Sequence, residues 1–244
     1  MATIPFTYDR VDMISRRFFK LMSSEPDHDG PAEKKYFWYG EKTFPYRGPL
    51  GKIRRSIHSH KYDKWGFLLY RCDYSSDELW AKFLAALQKE VDDSLRCYDA
   101  EDLRSSLDMT PKEDKDLLDG ATVERVRDIF TAWPGSDEAK AEFGGSTPRY
   151  MYCVHVDADV LDSVVNRAPK LLWSEARQVA YVNLVRPSTD WAPIPPDQLQ
   201  YFTEEELNED VDLVKVPLDY LGLDGYDELY DAEMFDFYRE HPEV

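Results

Sequence analysis

A chain of 244 residues that is 43% hydrophobic and 14% aromatic carries enough apolar surface for a sizeable core, which excludes a wholly disordered polymer despite a formal net charge of −18. That charge repels nucleic acid and anionic membrane at long range, and no stretch approaches the roughly 18 consecutive apolar residues that would cross a bilayer. Charges interrupt every apolar run of the first 20 residues, so no secretory leader is read there, and Cys72, Cys97 and Cys153, odd in number and without CxxC spacing, read as reduced packing residues of a cytoplasmic protein.

In chain order, Val11, Ile14, Phe18, Leu21 and Met22 stand at helical spacing over 8–22, ended by the turn-forming SSEPDHDGP. In the next stretch, 34–61, aromatics mix with cations, and Gly40, Pro45, Gly48, Pro49 and Gly51 break any long regular element, which predicts an extended arm or ordered loop. WGFLLYRC, 65–72, is a continuous apolar run of strand length. Ser75 and Glu78 have capping-box spacing and predict a helix whose stripe is Leu79, Trp80, Phe83, Leu84, Leu87, Val91 and Leu95. Residues 99–121 are charged and predict broken helical turns on the surface. Thr122 should cap a helix with Val123, Val126, Phe130 and Trp133 on one face, ended by Pro134-Gly135.

RYMYCVHVD, 149–157, predicts a strand with Tyr150, Tyr152, Val154 and Val156 on one face and Met151, Cys153, His155 and Asp157 on the other; DADVLDSVV after it predicts a short helix. Strands are also expected at 178–185 and 211–216, separated by a proline-rich passage and the acidic EEELNEDVD. The C-terminal stretch reads as a helix that docks its aromatic face and leaves its acidic face in water.

The resulting order implies an α+β fold, a single mixed sheet of about four strands covered by helices, with an irregular basic arm and an acidic C-terminal tail. A ferredoxin-like arrangement is one candidate. The expected division is 1–60 for the N-terminal helix and arm, 61–220 for the core domain, and 221–244 for an acidic segment docked on the core.

Four blocks carry a family likeness: WGFLLYRCDY at 65–74 with Trp80 and Phe83, LDGATVERVRDIF at 118–130, RYMYCVHVD at 149–157 with LDSVV at 161–165, and VAYVNLV at 179–185. By these the chain resembles a family of uncharacterised intracellular proteins of filamentous fungi, over roughly residues 60–220. The resemblance implies a shared fold and a fungal cytoplasm; it brings no activity and no catalytic residue with it.

Charge separates along the chain. Residues 34–71 hold ten Lys or Arg against two acids, whereas 197–244 hold sixteen acids against two bases. Lys34, Lys35, Arg47, Arg54 and Arg55 interleave with Trp38 and other aromatics, a composition suited to stacking on nucleic acid. The anionic remainder disfavours that, and the basic arm is drawn first to its own acidic tail or to a protein partner.

Catalytic or metal chemistry has one candidate set, His155, Asp157 and Asp159, where a strand end enters a helix; alternating imidazole and carboxylates there are suited to share an ion. The plainer alternative makes one aspartate an N-cap and His155 a half-buried strand residue. A thiol nucleophile at Cys72 or Cys153 is disfavoured by their apolar runs, since burial raises a thiol pKa. Gly144-Gly145 lacks the Gly-Lys-Ser/Thr of a phosphate loop, and no cofactor is expected. The leading functional expectation is a protein-interaction or regulatory module working through arm and tail. The alternative is an enzyme or carrier of a small apolar molecule using a pocket near His155 and Asp157.

Overall fold

The computed structural model describes residues 50–142, 144, 147–170, 179–187, 213–231 and 234–235, together with the backbone of 37–39 and 42–44. The helix expected over 8–22, the acidic run 204–212, and Lys34, Lys35 and Arg47 lie outside the described residues.

Two antiparallel strands, β1 (Phe37–Tyr39) and β2 (Lys42–Phe44), pair as a hairpin within the stretch expected to be an arm. The main sheet has five strands in the order β4-β3-β5-β6-β7, formed by β3 (Leu68–Arg71), β4 (Thr110–Lys112), β5 (Cys153–Val156), β6 (Tyr181–Val185) and β7 (Leu213–Pro217). β4, β3 and β5 run parallel, and β6 and β7 are added antiparallel. The α+β mixed sheet is thus as expected, with one more strand. Its element order is not the β-α-β-β-α-β of a ferredoxin-like fold. The additional strand, β4, falls where the sequence predicts only helical turns. Its three residues, Thr-Pro-Lys, show no alternation, and a proline is tolerated there because β4 is an edge.

Both faces of β3 are buried, which is why its sequence runs apolar without alternation. Phe67 and Leu69 join one core cluster, while Leu68, Tyr70 and Cys72 join a second on the opposite face. The first cluster is covered by α2 (Asp77–Cys97), which follows the short helical turn α1 (Gly51–Arg54); α2 buries Trp80, Phe83, Leu87, Val91 and Leu95 at helical spacing. Each such side chain contributes about 1.5–3 kcal/mol on leaving water. The N-cap of α2 is Ser76, whose hydroxyl accepts from the Leu79 amide at 3.2 Å, and not Ser75. Ser75 is held by Asp73, which takes its amide at 3.0 Å and its hydroxyl at 2.8 Å.

After β4 and the turn α3 (Lys115–Leu118), the chain enters α4 (Val123–Ala132), capped by Thr122 as expected and packed through Val126 and Phe130 against the second cluster. α5 (Asp137–Ala141) follows. The strand expected from residue 149 begins only at Cys153, because α6 (Pro148–Met151) forms a helical turn with proline in its first position. Tyr150 therefore packs with the second cluster and not, as expected, beside Tyr152, Val154 and Val156.

β5 leads through Asp157 into α7 (Ala158–Leu161), prolonged by a π-helical turn over Asp162–Arg167. β7 is followed by a 3-10 turn, Leu218–Leu221, and α8 (Leu223–Glu228). Tyr226 on α8 is fully buried, its ring edge-on to Trp65 at 5.5 Å and to Phe67 at 5.2 Å between centroids.

Among the described residues, α1 and the turn after it meet α8 and its C-terminal end. Asp227 accepts from the backbone amides of Lys52 and Ile53, both at 2.9 Å, and the Tyr230 hydroxyl donates to Ser56 at 2.7 Å. The hydrogen bonds of this contact come from backbone amides, with the Lys52 charge acting on Asp227 as well, so the acidic face of α8 is partly docked rather than left in water. Leu50 and Ile53 are buried in the first cluster, N-terminal to the expected core boundary.

Candidate functional site at the sheet switch point

The two parallel connections cover opposite faces of the sheet. From β3 the chain passes through α2 over the first cluster to reach β4; from β4 it passes through α4 over the second cluster to reach β5. Strand order therefore reverses about β3, and the space beyond the carboxyl ends of β3 and β5, where open α/β sheets bind ligands, is bounded on the second-cluster face by the loop that leads from β4 into α4. An open cleft of about 580 Å³ lies there. Cys72 and Asp73 after β3 form one side, His155, Asp157 and Ala158 at the end of β5 another, and the loop 119–124 leading into α4 the third. Gly120 turns that loop with φ +70° and ties it to β3 through its amide, which donates to the Cys72 carbonyl at 2.9 Å.

His155 is 3% exposed. Its Nε2 lies 2.9 Å from the Ala121 carbonyl, which can only accept, so Nε2 carries a proton and, in the neutral ring, Nδ1 carries the lone pair. Nδ1 faces the Asn183 amide nitrogen at 3.4 Å and an Asp157 carboxylate oxygen at 3.7 Å. Asp157 caps α7, accepting from the Val160 amide at 2.9 Å with one oxygen, and takes the Asn183 amide at 3.3 Å with the other. Asn183 thus braces both cleft residues from β6. It is 4% exposed, and its carbonyl oxygen has no partner among the described residues.

Asp159 does not join them. Its carboxylate pairs with Arg167 at 3.2 Å and accepts from the Tyr181 hydroxyl, away from the cleft wall. The expected trio of His155, Asp157 and Asp159 is therefore a pair plus a surface residue: strand alternation ends at Val156, and residues two apart do not share a face once a helix begins. Among the described residues no group of three His, Cys, Asp or Glu side chains is placed to hold a metal.

Burial, with the Asp157 carboxylate adding to it, pushes the Cys72 thiol up to about 12, and burial also raises Cys153. Both remain protonated thiols at neutral pH, a poor state for a nucleophile. Glu124 shows the opposite behaviour: the Thr122 hydroxyl and its own amide hold its carboxyl below the ordinary value, so it is ionised at the cleft mouth. Sequence reasoning missed Asn183 and the 119–124 loop. A single polar residue inside the apolar run YVNLV was the one available signal for Asn183.

Of the residues expected to meet a partner, Arg54 is engaged within the chain by Asp102 at 3.2 Å and by the Asp99 carbonyl at 3.4 Å, while Arg55 is exposed. Trp38 lies in β1, opposite Thr43. No helix among the described residues is long and apolar enough to cross a membrane. Comparison with models of protein families, with curated proteins and with solved structures finds no match for the chain.

Proposed function

We propose that the protein binds a small polar molecule in the switch-point cleft between β3, β5 and the 119–124 loop. The observation behind this reading is the coincidence of an open cleft of about 580 Å³ with a buried histidine of defined tautomer, braced by Asp157 and Asn183. A volume of this size accommodates a metabolite-sized ligand. The interaction reading for arm and tail has less behind it, since Asp227 is satisfied by the Lys52 and Ile53 amides and Arg54 by Asp102. Protonated, buried Cys72 and Cys153 suit a reducing compartment, and we take the cytoplasm as its location.

Amide chemical-shift mapping with a library of small polar fragments tests the reading. Binders should move the Gly120, Ala121 and Ala158 signals together. Shifts that gather elsewhere, or none at millimolar fragment, would remove the cleft from consideration.

A further inference from the structure

We infer that His155, Asp157 and Asn183 form a proton switch that joins β5 to the 119–124 loop. A proton taken up at Nδ1 exchanges the Asn183 bond for an ion pair with Asp157, and the loop tightens. The device belongs to the protein alone and needs no ligand in the cleft.

Two hydrogen-bond arrangements are open to the same three side chains. In the neutral ring Nε2–H donates to the Ala121 carbonyl at 2.9 Å, and Nδ1 accepts from the Asn183 amide at 3.4 Å, a long and therefore weak bond. A proton on Nδ1 makes it a donor, which can no longer take the Asn183 amide. An acceptor stands ready in the Asp157 carboxylate oxygen 3.7 Å away. That same oxygen takes the Asn183 amide at 3.3 Å, so Asn183 keeps a partner after the exchange. Asp157 meanwhile holds the Val160 amide at 2.9 Å with its other oxygen and goes on capping α7. On the far side of the ring the bond to Ala121 becomes charge-assisted, which shortens and strengthens it. Gly120, next to Ala121, donates its amide to the Cys72 carbonyl at 2.9 Å, so the tightening reaches β3.

An imidazolium at this position meets Asp157 from its own strand and Glu124 from the start of α4, whose carboxylate feels the ring's charge. Asp119 stands on the same loop, and Arg127, further along α4, acts on Glu124. β3 sets Tyr70 opposite His155 and Cys72 beyond it, both kept uncharged by burial. β6 supplies the neutral Asn183, and Lys215 of β7, opposite Asn183 in register, turns over the Tyr181 ring at 4.3 Å. Asp159 of α7 is taken by Arg167.

Long-range proton–nitrogen correlation spectra of the imidazole in the full chain, recorded from about pH 8 to pH 5, test the switch, since an imidazole changes charge across that range. His155 should pass from one protonated nitrogen, Nε2, to two. Over the same titration the hydrogen-exchange protection of the Gly120 amide, corrected for its intrinsic rate, should rise about threefold or more. Asp157→Asn keeps the α7 cap, because Asn caps as well as Asp, but removes the charge, and should lower the proton affinity of His155 about tenfold. His155→Gln, still a donor toward Ala121, should leave Gly120 protection level with pH. A ring that stays neutral at pH 5 in the folded protein would overturn the inference. So would Gly120 protection that ignores the titration, or a proton affinity that Asp157→Asn leaves unchanged.

Discussion

Replacing Arg149 by alanine will cost about 3–5 kcal/mol of folding stability, the range for removing one partner of a buried ion pair. The guanidinium is 0% exposed and grips Glu142 with two parallel bonds, at 2.8 and 2.9 Å. Its remaining donors reach the Asp108 carbonyl at 2.8 Å, the Thr110 hydroxyl at 2.8 Å and the Asp108 carboxylate at 3.4 Å. Glu142, whose side chain is 7% exposed, would keep the Lys64 ammonium at 2.9 Å but lose its bidentate partner. A shift in the urea midpoint at unchanged slope measures the loss. Because well-packed apolar replacements of buried pairs are often close to neutral, Arg149→Met combined with Glu142→Leu should recover most of it. A cost under about 1 kcal/mol for Arg149→Ala would mean that the pair is hydrated, as surface pairs are.

The same cluster sets a pH response. Burial pulls Glu142 upward, but hydrogen bonds from Arg149 and Lys64 outweigh it and hold the carboxyl below its ordinary 4.5; Asp108 is likewise pulled up by burial and held below its ordinary 3.8 by Lys64, Thr110 and Arg149. Folded-state values below unfolded ones mean that the stabilisation is complete above the unfolded values and is lost as pH falls through the folded ones. Acid below about pH 4.5 should therefore destabilise the wild type more steeply than the double variant.

Tyr226→Ala will be comparably damaging, at about 3–5 kcal/mol for an aromatic removed from a core. The ring is wholly buried and sits edge-on to Trp65 and Phe67, and the hydroxyl accepts from the Arg149 amide at 3.3 Å. Tyr226→Phe keeps the rings and should cost about 1 kcal/mol for the hydroxyl alone. Equal losses from the two variants would locate the effect in the hydrogen bonds and contradict the packing account.

Much of this arrangement can be read from the residues. The apolar run through Leu68 to Tyr70, the stripe of α2 and the cap at Thr122 all follow local rules, and each element forms where those rules place it. β4 is illegible because an edge strand of three residues needs neither alternation nor β-branched side chains; it exists through its pairing with β3. The start of β5 was obscured because Tyr150 and Tyr152 imitate strand alternation, while Pro148 favours a helical turn that instead buries Arg149. In the site, His155 and Asp157 are legible as a strand end entering a helix. Asn183 is not, since it reaches them only through the antiparallel register that sets His155 opposite Asn183. Nor does the sequence disclose the cleft, which the loop from β4 into α4 bounds beyond the carboxyl ends of β3 and β5.

Occupancy of that cleft is the central claim, and blocking it is the direct measurement. Ala158 lines the cleft and is exposed, so Ala158→Trp should fill the space with little effect on the unfolding midpoint. Titrated with the fragment that binds the wild type most tightly, the variant should show binding lost at unchanged stability. Binding that persists in a stably folded Ala158→Trp protein would contradict the account.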